Sequence, residues 1–254
     1  SGGVLWVDPR KNLDRDLEAL YLAYLEDDLE HGRRGETYAQ GLALLRSGQV
    51  SLPQSMVALV GRLTGPISWG VSVVDQTRRP VLHNEILADA VGKYLRLKAA
   101  WQEAQFRSLA PRTMVMIEEP YMASVGSTYV GVDRQQVIAL LEEVFAGIHG
   151  LKGVHCCGDS DWSVVLDTSV DIISLDAYDY AETLVRHCES LTSFLKRGGI
   201  IAWGIVPAGA AAAREDVKSL VLRLEHAIDG LTEHDVPREL LLQAGLISPS
   251  CGLA

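Results

Sequence analysis

Short runs rich in Val and Ile recur along this chain between longer stretches whose apolar residues fall near every third or fourth position. That alternation constrains the fold more than any other feature of the sequence. A brief apolar run bounded by turn residues reads as a strand, and a 3.6-residue period reads as a helix buried along one face. Strands alternating with helices imply parallel pairing through helical crossovers, hence an α/β fold. The strand runs are 56–63, 113–118, 153–157, 171–176 and 199–206, with weaker ones at 4–7 and 246–248. Helical patterns cover 13–30, 36–46, 85–109, 134–148, 181–196 and 212–231. In the first of these, Leu13, Leu17, Leu20, Tyr24 and Leu25 form the stripe expected to be buried.

The chain has 254 residues, about the size of one α/β barrel, which reaches ~250 residues as a single unit. No internal repeat, low-complexity tract or Pro/Gly/Ser linker divides it, so one domain over 1–254 is expected. Unusual polar residues collect at the ends of strand runs: Glu118-Glu119-Pro120, His155-Cys156-Cys157-Gly158, Asp176, and the stretch from Trp203 to Pro207. A (β/α)8 TIM barrel builds its active site at the carboxyl ends of its strands, where such residues belong. An open doubly wound sheet also binds ligands at strand ends, but no Gly-x-Gly-x-x-Gly follows a strand run here. The barrel is therefore the expected fold. Five strong and two weak runs fall short of eight strands, so its first strand or strands are expected to lie outside this sequence.

Charge narrows the partners. Against 33 Asp and Glu stand 23 Lys and Arg, a formal net charge of -10. Nucleic-acid affinity comes largely from Lys and Arg displacing counterions, so no nucleic acid is expected as partner. The longest apolar stretches, 56–60 and 200–206, are far shorter than the ~20 residues of a membrane-spanning helix. Ser1-Gly2-Gly3-Val4 carries neither the basic nor the apolar region of a signal peptide. No membrane partner and a cytoplasmic location are the expectations. The four cysteines, Cys156, Cys157, Cys188 and Cys251, include an adjacent pair and do not form the framework of a small secreted domain. Metal or redox chemistry suits them better.

The densest chemical signal is Val154-His155-Cys156-Cys157-Gly158-Asp159. Side chains alternate along a strand, so His155 and Cys157 point one way and Cys156 the other. Imidazole nitrogen and thiolate sulfur are typical zinc ligands. A third can come from Cys251, held between the Pro and Gly of Ser248-Pro249-Ser250-Cys251-Gly252. The alternative is a hydrogen-bonded core histidine with small buried cysteines, and the short His-x-Cys spacing does not choose between them. Glu118 and Glu119 close a mostly apolar strand. One of them is expected to face the barrel mouth and bind a substrate ammonium group or act as acid or base. Asp176 closes the next such strand and is the natural fourth metal ligand; as a helix cap it competes with Asp179, which sits nearer the helix start. His31, His83, His149, His187, His226 and His234 read as surface, loop or packing residues.

Six motifs, Leu63-Thr64-Gly65-Pro66-Ile67-Ser68, Ile117-Glu118-Glu119-Pro120, His155-Cys156-Cys157-Gly158-Asp159-Ser160-Asp161-Trp162, Asp171-Ile172-Ile173-Ser174-Leu175-Asp176, Trp203-Gly204-Ile205-Val206-Pro207 and Ser248-Pro249-Ser250-Cys251-Gly252-Leu253, occur in this order. From about Val57 onward the chain resembles the catalytic half of cobalamin-independent methionine synthase. It is most similar to the short core proteins of the uroporphyrinogen decarboxylase/methionine synthase superfamily. The resemblance implies a (β/α)8 barrel with a zinc ion at its mouth that binds the thiol of homocysteine. It implies His155, Cys157, Asp176 and Cys251 as metal ligands, Glu118 as the acid that holds the amino group, and Glu119 and Trp203 as further substrate-binding residues. It also gives Glu118 and Asp176 catalytic roles. The enzyme implied is a zinc-dependent homocysteine S-methyltransferase of methionine biosynthesis.

Three departures qualify the resemblance. Asp176 stands where the family has Glu, and Glu118 where it has Asp, so one carboxylate reaches a methylene less and the other a methylene more. The family's early Gly-Ser motif has no counterpart before Val4, and its amino-terminal duplicate barrel lies outside this sequence. With the folate-binding half outside the sequence, methylcobalamin or a methylated corrinoid protein is the expected methyl donor and partner. A metal-free decarboxylase of the porphyrinogen branch would need cationic residues for carboxylate groups, and no Arg cluster marks the strand ends. A non-catalytic zinc- or corrinoid-binding accessory protein is the third alternative.

Overall fold

The protein is described by a computed structural model over residues 5–8, 11–35, 39–126 and 131–252. Its residues gather into two compact units, Ser1–Ile117 with Ala139–Lys152, and Glu118–Ile138 with Gly153–Ala254. The class is α/β, with parallel strands and interleaved helices, as the alternation predicts. Among the described residues no helix is long and apolar enough to cross a membrane.

In the first unit, β1 (Leu5–Trp6) pairs in parallel with β3 (Val73–Val74). Val4 of the expected 4–7 run lies outside the described residues, and β3 has no counterpart among the expected strands. β2 (Leu59–Thr64) starts later than residue 56 and lies beside β4 (Thr113–Glu118). The principal helix is α4 (Glu85–Phe106). Asn84 starts it by accepting from Leu87 N–H at 3.1 Å, and Glu85 adds negative charge at the positive end of the helix dipole. Ala88, Val91, Leu95, Ala99, Gln102 and Phe106, at helical spacing, are all buried. Ala90 and Leu97 pack with Leu20 and Ala23 of α1 (Leu13–Leu25). That helix stops short of residue 30 because Asp27 takes a left-handed φ of 51° and the chain turns into a 3-10 segment at Leu29–Gly32. Of the expected helix 36–46, Gln40–Arg46 forms α2, and residues 36–38 lie outside the described ones. α3 (Pro66–Ser72) is an addition, entered through Pro66 in its first turn.

The second unit carries the strand ends that matter for function. β5 (Leu151–Cys156), β6 (Ile172–Leu175), β7 (Ile200–Val206) and β8 (Gly245–Pro249) are successive parallel neighbours. The register runs His155↔Ser174↔Ala202↔Leu246, so these residues share one face. Cys156↔Leu175↔Trp203↔Ile247 share the other. Because all four strands are parallel, their carboxyl ends lie along one edge. α5 (Arg134–Phe145) precedes β5, and α6 (Trp162–Leu166), α7 (Ala177–Tyr180), α8 (Cys188–Lys196), α9 (Val217–Thr232) and α10 (Arg238–Gln243) follow. The expected helix 181–196 divides into a 3-10 segment, Ala181–His187, and α8. α9 starts later than residue 212, where Asp216 and Ser219 cap each other's backbone.

One buried carboxylate organises the first unit. Glu103, with a side chain only 1% exposed, accepts from Thr113 Oγ1 at 2.8 Å, His149 N–H at 2.9 Å, Gly150 N–H at 2.5 Å and Arg107 at 3.2 Å. Burial alone would raise its pKa. The donors together outweigh burial and hold the carboxyl below its usual range. A depressed folded-state pKa gives stability that is present above the unfolded value of ~4.3 and lost as pH falls through the folded one. Glu103→Ala is therefore expected to cost roughly 2–4 kcal/mol at neutral pH, because it strands buried donors. Urea unfolding of the wild type and variant across pH 7 to 3 should show this difference shrink in acid. A constant difference would assign Glu103 a packing role alone.

Candidate metal centre at the carboxyl ends of the strands

His155 is the penultimate residue of β5 and is buried. Its Nδ1 lies 2.9 Å from Ser174 Oγ, the residue opposite it in the register. Its Nε2 lies 4.0 Å from Glu118 Oε2. Cys157 follows one residue beyond the strand on the same side and is half-buried, while Cys251 is exposed. One ligand atom from each of His155, Cys157 and Cys251 lies within 4.8 Å of the others. Around a tetrahedral zinc with Zn–S ≈ 2.3 Å and Zn–N ≈ 2.0–2.1 Å, ligand atoms stand roughly 3.3–3.8 Å apart. A small inward movement would complete that spacing, so the donor set fits zinc.

Electrostatics favour the same occupant. Burial first, and then the neighbouring Cys251 and Cys156 thiols, push Cys157 up to about 11. The raised Cys157 thiol stays protonated at neutral pH unless a cation takes the charge of its thiolate. Cys156 is the odd member. Fully buried on the opposite face, its Sγ lies 2.8 Å from Ser160 Oγ and its thiol is raised by burial.

A tight backbone approach delivers Cys251. Ser250 N–H donates to Val206 O at 2.8 Å, and its Oγ accepts from Ala208 N–H at 3.3 Å. This holds the residue before Cys251 against the end of β7. The approach requires glycine at position 204, where a Cβ would come within 2.3 Å of Leu175 O and 2.8 Å of Ser250 Cα. The β7·β8 register shifts between Gly204 and Val206 at the same place.

The other candidates separate clearly. Glu118, about a quarter exposed, faces His155. Glu119 N–H donates to His155 O at 2.8 Å, but its side chain is fully enclosed on the side of Cys156. Trp203 is enclosed as well. The register puts it on the face opposite His155, 1% exposed, with Nε1 3.3 Å from where a Cβ on Gly245 would sit. Asp176 lies outside the three-residue group. It is the N-cap of α7, accepting from Asp179 N–H at 3.0 Å, and burial raises its carboxyl. The cap thus belongs to Asp176, although Asp179 had seemed the better placed. Ser174 and Ser250 were not anticipated. A lone serine in the buried run Ile172-Ile173-Ser174-Leu175 was the available signal for the first.

No family model and no curated protein sequence matches this chain. Among solved structures it matches a B12-independent methionine synthase from a Shewanella species, determined in complex with selenomethionine. The TM-score is 0.57 at 19% sequence identity, over 87% of this chain and 61% of that one. The chain has a methionine synthase fold. It spans about three-fifths of the length of the methionine synthase that it matches.

Gly204→Ala is expected to displace Ser250, and Cys251 with it. At least a tenfold loss of zinc affinity, measured against a chromophoric chelator, should accompany a fall in thermal stability, since disturbing the residues that hold a metal ligand in place typically costs ~10–100-fold. Unchanged affinity would mean that Cys251 is positioned by something other than the β7 contact.

Proposed function

We propose that this chain is a zinc-dependent methyltransferase whose acceptor is a thiol, homocysteine in the first instance, and whose donor is a methylated corrinoid. The observation that carries the proposal is the convergence of His155, Cys157 and Cys251, three ligands from two distant stretches of sequence. Three protein ligands with a position left for substrate is the usual form of a catalytic zinc site. The methionine synthase fold supports the same reading, and the matched structure holds selenomethionine, the selenium analogue of the methylated product.

Bound zinc supplies one thing, a lowered thiol pKa that makes the acceptor a nucleophile at neutral pH. The chain's own residues do the rest. Glu118, partly exposed beside His155, receives the ammonium group of the amino acid and orients its side-chain sulfur toward the metal. Asp176, on the same face as His155 and Ser174, accepts from Asp179 N–H with Oδ1 and is the candidate fourth ligand through its second oxygen, which links the ligand to the first turn of α7. A corrinoid donor is the class implied by the likeness to the short core proteins. Such a donor would supply a methyl group, as a cation equivalent, to the acceptor thiolate held at His155, Cys157 and Cys251; the product would be a thioether, and the electron pair of the broken cobalt–carbon bond would stay with the donor.

About one zinc per chain is expected. Cys157→Ser and Cys251→Ser should lose it and Cys156→Ser should keep it; the reverse pattern would sink the assignment. Homocysteine added to the zinc-loaded protein in weak buffer should release protons, and homoserine should not. Product formation with methylcobalamin, against methyltetrahydrofolate in a parallel assay, tests the donor. Zinc binding with no response to homocysteine would identify an accessory protein instead.

A second expectation concerns Glu118. Truncating one partner of a charge-assisted pair costs ~2–5 kcal/mol, so Glu118→Gln should raise the apparent KM for homocysteine by roughly 30-fold or more. Zinc content and activity toward a thiol without an amino group should change little. Equal losses with both thiols would make Glu118 a structural residue or one acting on the transfer step.

A further inference from the structure

We infer that Ser174 is a positioning residue for His155, fixing the imidazole so that Nε2, and not Nδ1, is the nitrogen offered to a metal. This rests on the zinc reading above and adds to it the residue that prepares the ligand.

Ser174 is the single polar residue of β6, a strand whose four residues are all buried. A buried hydroxyl is costly unless it is hydrogen-bonded, and an alanine would pack there without that cost. The β5·β6 register puts Ser174 directly beside His155 on one face, and its Oγ lies 2.9 Å from Nδ1. Both residues are 5% exposed, so little water competes for that bond. Nε2 points the other way, toward Glu118 Oε2 at 4.0 Å.

A neutral imidazole carries one proton. When Nδ1–H donates to the serine oxygen, the Nε2 lone pair is bare, the form that a metal binds. When the proton sits on Nε2, the ligand is closed until the ring loses or moves it. Ser174 Oγ, held by the strand ladder, could donate to a bare Nδ1 as well as accept from Nδ1–H; in the acceptor role, which the tautomer measurement below reads directly, it holds the first form before any metal arrives. The ring plane is fixed by the same bond, since rotation about the Cβ–Cγ axis would break it.

The test uses the full chain as wild type, Ser174→Ala and Ser174→Thr. Zinc affinity, read by competition with a chromophoric chelator, should fall about 10–100-fold in Ser174→Ala, the usual effect of losing such a partner. It should return to within a fewfold of wild type in Ser174→Thr, which restores the hydroxyl. In the zinc-free protein, 15N NMR of the His155 ring, assigned with His155→Gln, should show the proton on Nδ1 in wild type and Ser174→Thr, and a tautomer mixture in Ser174→Ala. Wild-type affinity in a folded Ser174→Ala, or a proton on Nε2 in the wild type, would overturn the inference. Should Ser174→Ala fail to fold, the wild-type and Ser174→Thr tautomers decide alone. A wild type that takes up no zinc refutes the functional proposal, and the NMR result still decides the role of Ser174.

Discussion

The parallel register between β5 and β6 is the constraint on which the rest of the site depends. It sets His155 beside Ser174 and, through β7 and β8, aligns Ala202 and Leu246 on the same face. Because side chains alternate with period two, a slip by one residue would put Cys156 and Leu175 where His155 and Ser174 now stand. Such a slip is costly on both faces. Val154, Ile172, Ile173 and Leu175 are all buried, and shifting one strand would set apolar side chains against polar partners and leave the serine hydroxyl unmatched. The apolar residues of the strands thus protect a polar pairing that contributes little to the core itself.

Much of this was legible in the sequence, and the parts that were not share a cause. The α/β alternation, the strand runs at 113–118, 153–157, 171–176 and 199–206, and the opposite orientations of Cys156 and Cys157 follow from local period and alternation alone. What local period cannot supply is the relation between strands. Trp203 looked like a strand-end residue available to substrate, and only the pairing with Leu175 shows it on the far face. Glu118 and Glu119 were indistinguishable as neighbours until the hydrogen bond from Glu119 N–H to His155 O fixed which of them faces the imidazole. Helix limits erred where the backbone does something a side-chain pattern does not encode, as at Asp27 with its left-handed φ. Short helices such as α6, α7 and α10 carry too few residues to display a period at all.

The three sulfur and nitrogen ligands are held by different means, which bears on how the site can work. His155 and Cys157 come from one strand end, so their separation is set by covalent geometry and the β ladder. Cys251 comes from an exposed turn. A ligand on a loose turn would lose conformational entropy on binding metal, on the order of 1–2 kcal/mol for each residue ordered. Ser250 removes much of that cost in advance through its two hydrogen bonds to the end of β7, and Gly204 gives it room to approach. Exposure of Cys251 therefore does not mean disorder. It leaves one side of the site open to solvent while the residue beneath it is anchored.

The charges around the site point in a single direction. Glu118 and Asp176 are carboxylates at the ends of β4 and β6, Glu119 is buried on the side of Cys156, and the thiols of Cys157 and Cys251 lie close to the His155 ring. Burial first, and then the neighbouring Cys251 and Cys156 thiols, disfavour the Cys157 thiolate while it lacks a cation. A site so composed selects for positive charge twice. Under the proposed function a divalent ion would satisfy the thiolates, and the partly exposed Glu118 carboxylate would attract an ammonium group close by. Asp176 is placed differently: burial raises its carboxyl, and one of its two oxygens accepts from the Asp179 amide. The two carboxylates differ in side-chain length by one methylene, but their environments separate them more: one caps the backbone of α7, and the other faces the buried imidazole of His155.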